Sequence, residues 1–481
     1  LWLTSLTTTR SSASSHGSAT LQDLGFTRDA VGNITEITDD AQETAYFANS
    51  QVSPTRTFTY DALYRLVSAR GREKDAQTQS TAFYADYAGA MGAIPQSGSG
   101  VLRRYTQSYE YDAAGNILEV KHQQGDAGTV LWRRGYAYET DNNQLLSTSL
   151  PGDDPDDPGT HSQTYAMNDR GAIVYLPHLK TGVSTNLVRD FRDQLRKAEL
   201  DNAGNVSWYA YDAAGERVWK VWDKGSVVEE RIYLGGYEVW RKRNGSGVLQ
   251  EERQTLHVMD DQRRVAMIET LTVTGGSAVS TPTPRFRYQL DDQLGSALLE
   301  VDDDGGVISY EEYHPYGTTA WWAEDAAIEV SRKRYRYTGK ERDEETGLQY
   351  HSARYYAPWL GRWDRPDPIG LGDGGNRWGY VGGRPVGLSD ATGTEAGRPH
   401  APRGPTPPPT VPTPPPTVPT ATPKGPTAPG VGGAAATGTG LTVGGAIATG
   451  GVLGAVGYGG LVVADENYEL PILDGTFSRS W

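Results

Sequence analysis

The chain has 481 residues and no cysteine. That excludes disulfide staples, thiolate nucleophiles and Cys-based zinc sites. Phenylalanine is scarce, with 7 residues against 28 Tyr and 12 Trp, and there are only 4 Met. Aromatic residues with a polar tip suit thin, two-faced sheets better than one thick apolar core. Basic side chains are outnumbered, 45 to 60, for a net charge of −15, and nearly all of the imbalance lies before Thr394. An acidic body does not fit a nucleic-acid surface, because phosphate neutralisation needs clustered Lys and Arg. The 8 histidines are scattered without metal-ligand spacing. No metal or cofactor is therefore expected, and His314, in Tyr313-His314-Pro315, reads as a turn residue. There is no initiating Met and no visible signal peptide, so a fragment of a longer protein is expected.

What is present is a repeat. Phe26-Thr-Arg-Asp29-Ala-Val-Gly32-Asn33-Ile34 is followed by Tyr60-Asp61 through Leu66. Then come Tyr109-Glu-Tyr111-Asp112-Ala-Ala-Gly115-Asn116-Ile117 and Tyr209-Ala-Tyr211-Asp212-Ala-Ala-Gly215. Weaker copies sit at 136–146 and 165–174. The unit reads as a hairpin. Alternate Tyr residues line one face of the incoming strand. Asp starts a turn through its own backbone, Gly three positions on takes the left-handed conformation, and an apolar residue opens the return strand. Recurrence of one spaced signature is what a stacked array requires. An almost wholly β body over 20–394 follows.

Composition breaks behind the body. Residues 402–429 are Pro-rich and predict a polyproline II spacer reaching roughly 80 Å. From Gly432 the chain is mostly Gly, Ala, Thr and Val, without charge to Ala464. Gly440-x-x-x-Gly444 and Gly450-x-x-x-Gly454 permit close helix packing in lipid, so membrane contact by 432–464 stays open beside a loose Gly-rich chain. The Gly430-Val-Gly432-Gly run follows no strand and carries no dinucleotide reading. The acidic runs Asp302–Asp304 and Asp153–Asp157 read as solvated turns, with calcium the other reading.

The Tyr-Asp units resemble the YD repeats of the RHS (rearrangement hotspot) proteins. Residues 335–393 are similar to the RHS-associated core. Tyr337-Thr-Gly-Lys340, Glu345-Thr-Gly-Leu348, Ala353-Arg354-Tyr355-Tyr356, Gly361-Arg-Trp363, Asp367-Pro-Ile-Gly370-Leu371, Gly374-Gly-Asn376 and Asp390-x-x-Gly393 carry the match. The resemblance implies an all-β spiral of hairpins coiled into a hollow shell, closed at one end by the core and enclosing a variable C-terminal segment. A spiral also covers its own strand edges except at its ends. At this length a partial shell, open at its N-terminal end, is expected. The implied organisation is an ill-defined segment 1–19, a YD shell 20–330, the core 331–394, a Pro-rich linker 395–430 and a variable tail 431–481.

The resemblance also implies chemistry. Many RHS cores cut their own chain just after the closing motif with two aspartates. The matching positions are Asp367 and Asp390, with Arg354 as the assisting arginine and Thr394–Glu395 as the cut. Two close carboxylates cannot both ionise cheaply, so one can take a proton from water while the other polarises a carbonyl, and an Arg would hold developing charge. Two departures stand against this: Thr394 replaces a Leu, and Ala391 replaces a Pro. Asp390-Ala-Thr-Gly393 also has the spacing of the ordinary repeat turns, so a purely structural pair stays open. Asp364 is a second candidate carboxylate. The implied role is the distal shell of a secreted or cell-surface bacterial toxin. Its partners would be its own tail as cargo, the missing part of the shell or a delivery component, and an immunity protein. The alternative is a wall-associated YD protein that binds carbohydrate or protein.

Overall fold

Each Tyr-Asp unit is a hairpin whose aspartate closes the turn. Asp112 Oδ1 accepts the Asn116 N–H at 2.8 Å, Asp112 Oδ2 accepts the Asn116 side-chain amide at 2.8 Å, and the Gly115 N–H reaches the Asp112 carbonyl. Gly115 has φ +84°, the left-handed region that a side chain resists. Asp29 repeats the whole pattern with Asn33, and Asp212 repeats its backbone bonds with Glu216 and Gly215. In the weaker copy at 165–174, Asn168 replaces the aspartate and its Oδ1 accepts from Arg170 and Ala172. Asp302 builds the same turn with the N–H groups of Asp304 and Gly306.

The computed structural model describes residues 2–10, 19–47, 50–74, 102–126, 128–260, 263–324 and 330–397. The chain divides into two units, Leu1–Ala401 and Pro402–Trp481, and every described residue lies in the first. The expected tail 431–481, its 432–464 stretch, the Gly430 run and all of the linker past 397 lie outside the described residues.

The described residues are strands and turns. Their helical content is three short 3₁₀ turns, Pro158–Thr160, Tyr337–Gly339 and Val381–Gly383. A ten-stranded sheet runs from Ser5–Thr9 to Gln163–Thr164, and a 13-stranded sheet from Leu187–Arg189 to Thr319–Glu324. Both are antiparallel meanders in which strands pair mainly with their chain neighbours. The hairpin of Ala45–Phe47 with Ser50–Val52 stands outside the first sheet. A four-stranded sheet, Glu341–Arg342 to Arg362–Trp363, carries the core segment.

In four hairpins the tyrosine that ends the incoming strand ties its repeat to the one before. Tyr60 Oη donates to the Ile34 carbonyl, Tyr111 to Leu66, Tyr138 to Ile117 and Tyr211 to Leu195. Each acceptor is the apolar residue that opens the return strand of the preceding hairpin. Buried tyrosine needs a hydroxyl partner that phenylalanine does not, and here the neighbouring backbone supplies it. This is the physical reason for the Tyr-over-Phe bias.

The core segment packs against the repeat turns. Tyr356 stacks on Tyr380 at 4.1 Å between centroids, and Trp363 lies edge-on to both. Trp363 and Tyr356 are fully buried within one cluster that also holds Leu66, Ile117, Leu195 and Tyr209. Polar docking is as dense. Asn376 donates to the Asn116 side chain, Trp378 to the Gly171 carbonyl and Arg362 to the Asn143 carbonyl. From the second sheet, buried Arg217 bridges Glu341 at 2.7 Å and Asp343 at 2.6 Å.

Candidate cleavage site

Arg354 opens the strand Arg354–Ala357 with its guanidinium over the Trp363 ring, 4.1 Å from the centroid. That packing fixes the planar group. Its Nη2 contacts Asp367 Oδ2 at 2.8 Å and Asp390 Oδ2 at 3.3 Å. Both aspartates therefore share one nitrogen, although 23 residues separate them in the chain. Nη1 donates to the Arg377 carbonyl, and Nε donates to the Gly393 carbonyl at 2.5 Å. All three side chains are buried, at 2% exposure for Arg354, 3% for Asp367 and 1% for Asp390. Burial pulls the guanidinium below its ordinary value, and the charges of Asp367 and Asp390 oppose that pull.

Asp390 differs from the repeat aspartates it resembles. Its Oδ1 accepts three successive backbone N–H groups, from Thr392, Gly393 and Thr394, and its Oδ2 faces arginine rather than asparagine. Asp212, by contrast, is exposed. The His351 ring, kept neutral by burial and by the Lys340 charge, donates Nδ1–H to the Asp390 carbonyl at 2.7 Å. Gly393 has φ +76°, and a Cβ there would fall 2.7 Å from the His351 carbonyl oxygen and 3.0 Å from the Arg354 nitrogen. The closing glycine is required by this approach. Asp367 also shapes a turn, accepting the Ile369 N–H on Oδ1 and the Gly370 N–H on its carbonyl.

Thr394 is half-buried, and its hydroxyl pairs with that of Thr392. Glu395 is exposed. The chain then turns back, and Gly397 exchanges two backbone hydrogen bonds with Ser389. The structure thus gathers Arg354, Asp367, Asp390 and the Gly393–Thr394 backbone. It separates Asp364, whose carboxylate is taken by Arg189 at 2.7 Å and by the Tyr355 N–H.

Two groupings escaped the sequence reading. Asp373 Oδ2 accepts the Ala396 N–H at 3.2 Å, which places a third carboxyl beyond the expected cut. Burial pushes Asp373 above the ordinary range, and the charges of Asp390 and Asp367 add to the push. Asp373 lies in Gly372-Asp-Gly374, where the sequence signals only a turn. The second grouping joins Glu73, His122 and His314. Local spacing gave no sign of it, because His314 is 241 residues from Glu73.

A stacked array of antiparallel Tyr-Asp hairpins packed with an Arg/Asp core segment defines an RHS/YD-repeat shell protein. Residues 29–371 match the Teneurin YD-shell family, and the chain belongs to it. It is 34% identical over 398 residues to toxin subunit YenC2 of Yersinia entomophaga, covering 81% of this chain and 39% of that one. A probable deoxyribonuclease, RhsA of Dickeya dadantii, is 27% identical over 331 residues, covering 58% and 20%. Among solved structures, the crystal structure of TcdB2-TccC3-Cdc42 superposes with a TM-score of 0.65 at 31% identity, covering 81% of this chain and 18% of that one. The chain thus spans well under half the length of these relatives.

Proposed function

We propose that this chain is the distal shell and core of a secreted bacterial toxin, that the segment beyond Thr394 is its cargo, and that the core frees this cargo by cutting its own backbone once at Thr394–Glu395. The similarity to toxin subunits supports the shell role. The observation that carries the cleavage reading is Arg354, which joins Asp367, Asp390 and the Gly393 carbonyl. A turn aspartate needs none of these contacts.

In this reading one of the paired aspartates takes a proton from water, and the resulting oxygen nucleophile adds to the Thr394 carbonyl. Arg354 fixes the carboxylates and the adjacent peptide, so the strand cannot drift from the attacking group. Asp373, raised toward its protonated form and bonded one residue past the bond, supplies the proton to the departing Glu395 nitrogen. The three successive N–H contacts to Asp390 hold the loop in place through the reaction.

A further shell segment or a delivery component completes the enclosure, and the producing cell needs an immunity protein against the freed tail. The test is denaturing electrophoresis of full-length wild type beside Asp367→Asn and Asp390→Asn. Two fragments from wild type and one intact chain from each variant support the proposal. One intact chain from all three leaves the aspartates as turn residues.

A further inference from the structure

We propose that Glu73, His122 and His314 bind a zinc-class divalent metal that pins the two large sheets together. Glu73 ends the strand Leu66–Lys74 and His122 lies on Ile117–Gln124, both in the first sheet. His314 lies in the turn just after Val307–Tyr313 of the second sheet. The site therefore joins two sheets in a chain that has no cysteine to cross-link them.

The geometry suits the metal. His122 Nε2 is 3.0 Å and His314 Nε2 is 3.2 Å from Glu73 Oε2, and the three ligand atoms lie within 4.8 Å of one another. A tetrahedral zinc with bonds of about 2.0 Å needs ligand pairs about 3.3 Å apart, a spacing that both Glu73–His pairs already have, with the two His nitrogens within 4.8 Å of each other. The donor set, two neutral imidazoles and one carboxylate, is one that zinc takes while keeping an open fourth position.

The outer contacts suit monodentate ligation. Arg103 Nε donates to Glu73 Oε1 at 2.9 Å; His122 Nε2 reaches both carboxylate oxygens, and Oε2 is the one it shares with His314. His314 Nδ1 lies 3.0 Å from Thr318 Oγ1, which can accept an Nδ1–H and so leave Nε2 free for metal. His122 is clamped between aromatic rings, stacked on Trp132 at 5.0 Å and on Tyr105 at 5.6 Å. Without metal, both rings face the one Glu73 carboxylate through Nε2.

The experiment loads chelator-stripped, full-length protein with zinc chloride and desalts it. Bound metal is read by elemental mass spectrometry and the melting temperature is followed in parallel. The expected result is one zinc per chain with a raised melting temperature, and an affinity at least ~10-fold weaker in His122→Gln and His314→Gln. His178→Gln, which leaves the cluster intact, should bind like wild type. X-ray absorption of the zinc-loaded wild type needs no variant to fold, and it should show two imidazoles and one carboxylate oxygen. Wild type that retains no zinc, variants that bind as wild type does, or a zinc without imidazole ligands would each overturn the assignment.

Discussion

The Tyr111 hydroxyl donates to the carbonyl of Leu66 at 2.8 Å and pairs with the Tyr316 hydroxyl at 2.8 Å. One side chain thus couples its own hairpin to the preceding repeat and to the second sheet. Tyr111→Phe keeps the ring and removes both contacts. It should destabilise the chain by about 1–2 kcal/mol in urea unfolding. Tyr60→Phe, which loses the single bond to Ile34, should cost about half as much.

Arg217 lies buried between Glu341 and Asp343, where it anchors the core segment to the second sheet. Arg217→Ala removes one counter-charge from two buried carboxylates, while Lys220 stays on Asp343 and Arg334 on Glu341. A loss of about 2–3 kcal/mol is expected, with faster proteolysis of the 341–363 sheet. Unchanged urea stability would mean that the core does not depend on this bridge.

Asp292 closes a fully buried turn, and burial raises its carboxyl to about 6 from the ordinary 3.8, against the opposing charge of Arg56. A carboxyl raised on folding contributes stability that is complete below about pH 4 and is lost as the pH rises through 6. Asp292→Asn keeps the acceptor for the Leu294 and Ser296 N–H groups and cannot ionise. Relative to wild type, the variant should therefore melt higher at pH 8 and about equally at pH 4. The two values bound the gain at about 3 kcal/mol.

Asp373 is the carboxyl assigned to the departing nitrogen. Because its value is raised, it holds its proton to higher pH than an ordinary aspartate. Self-cleavage should be fast in mild acid and slow as the pH rises through the folded value of Asp373. Asp373→Asn should cleave slowly at every pH. A variant rate equal to wild type would remove Asp373 from the reaction.

The Asp-x-x-Gly turns were legible in the sequence because every bond they need lies within five residues, as at Asp112–Asn116. The all-β body followed from those turns and from the Tyr alternation. The bond from Tyr111 to Leu66 was not legible, since it depends on how successive hairpins stack. The Arg354, Asp367 and Asp390 positions came from resemblance, and spacing alone gave Asp390 the look of a repeat turn. What distinguishes Asp390 is burial and the Arg354 contact, both tertiary. Asp373, and the meeting of His122 with His314, likewise depend on packing between segments far apart in the chain.

Whether the core cuts its own chain can be read from the intact mass of freshly purified full-length protein. Wild type should give two masses, one ending at Thr394 and one beginning at Glu395. Asp390→Asn and Gly393→Ala, whose added Cβ would push the backbone off Arg354, should each give a single uncut mass. A single uncut mass from the wild type, after incubation in mild acid as well as at neutral pH, would contradict self-cleavage.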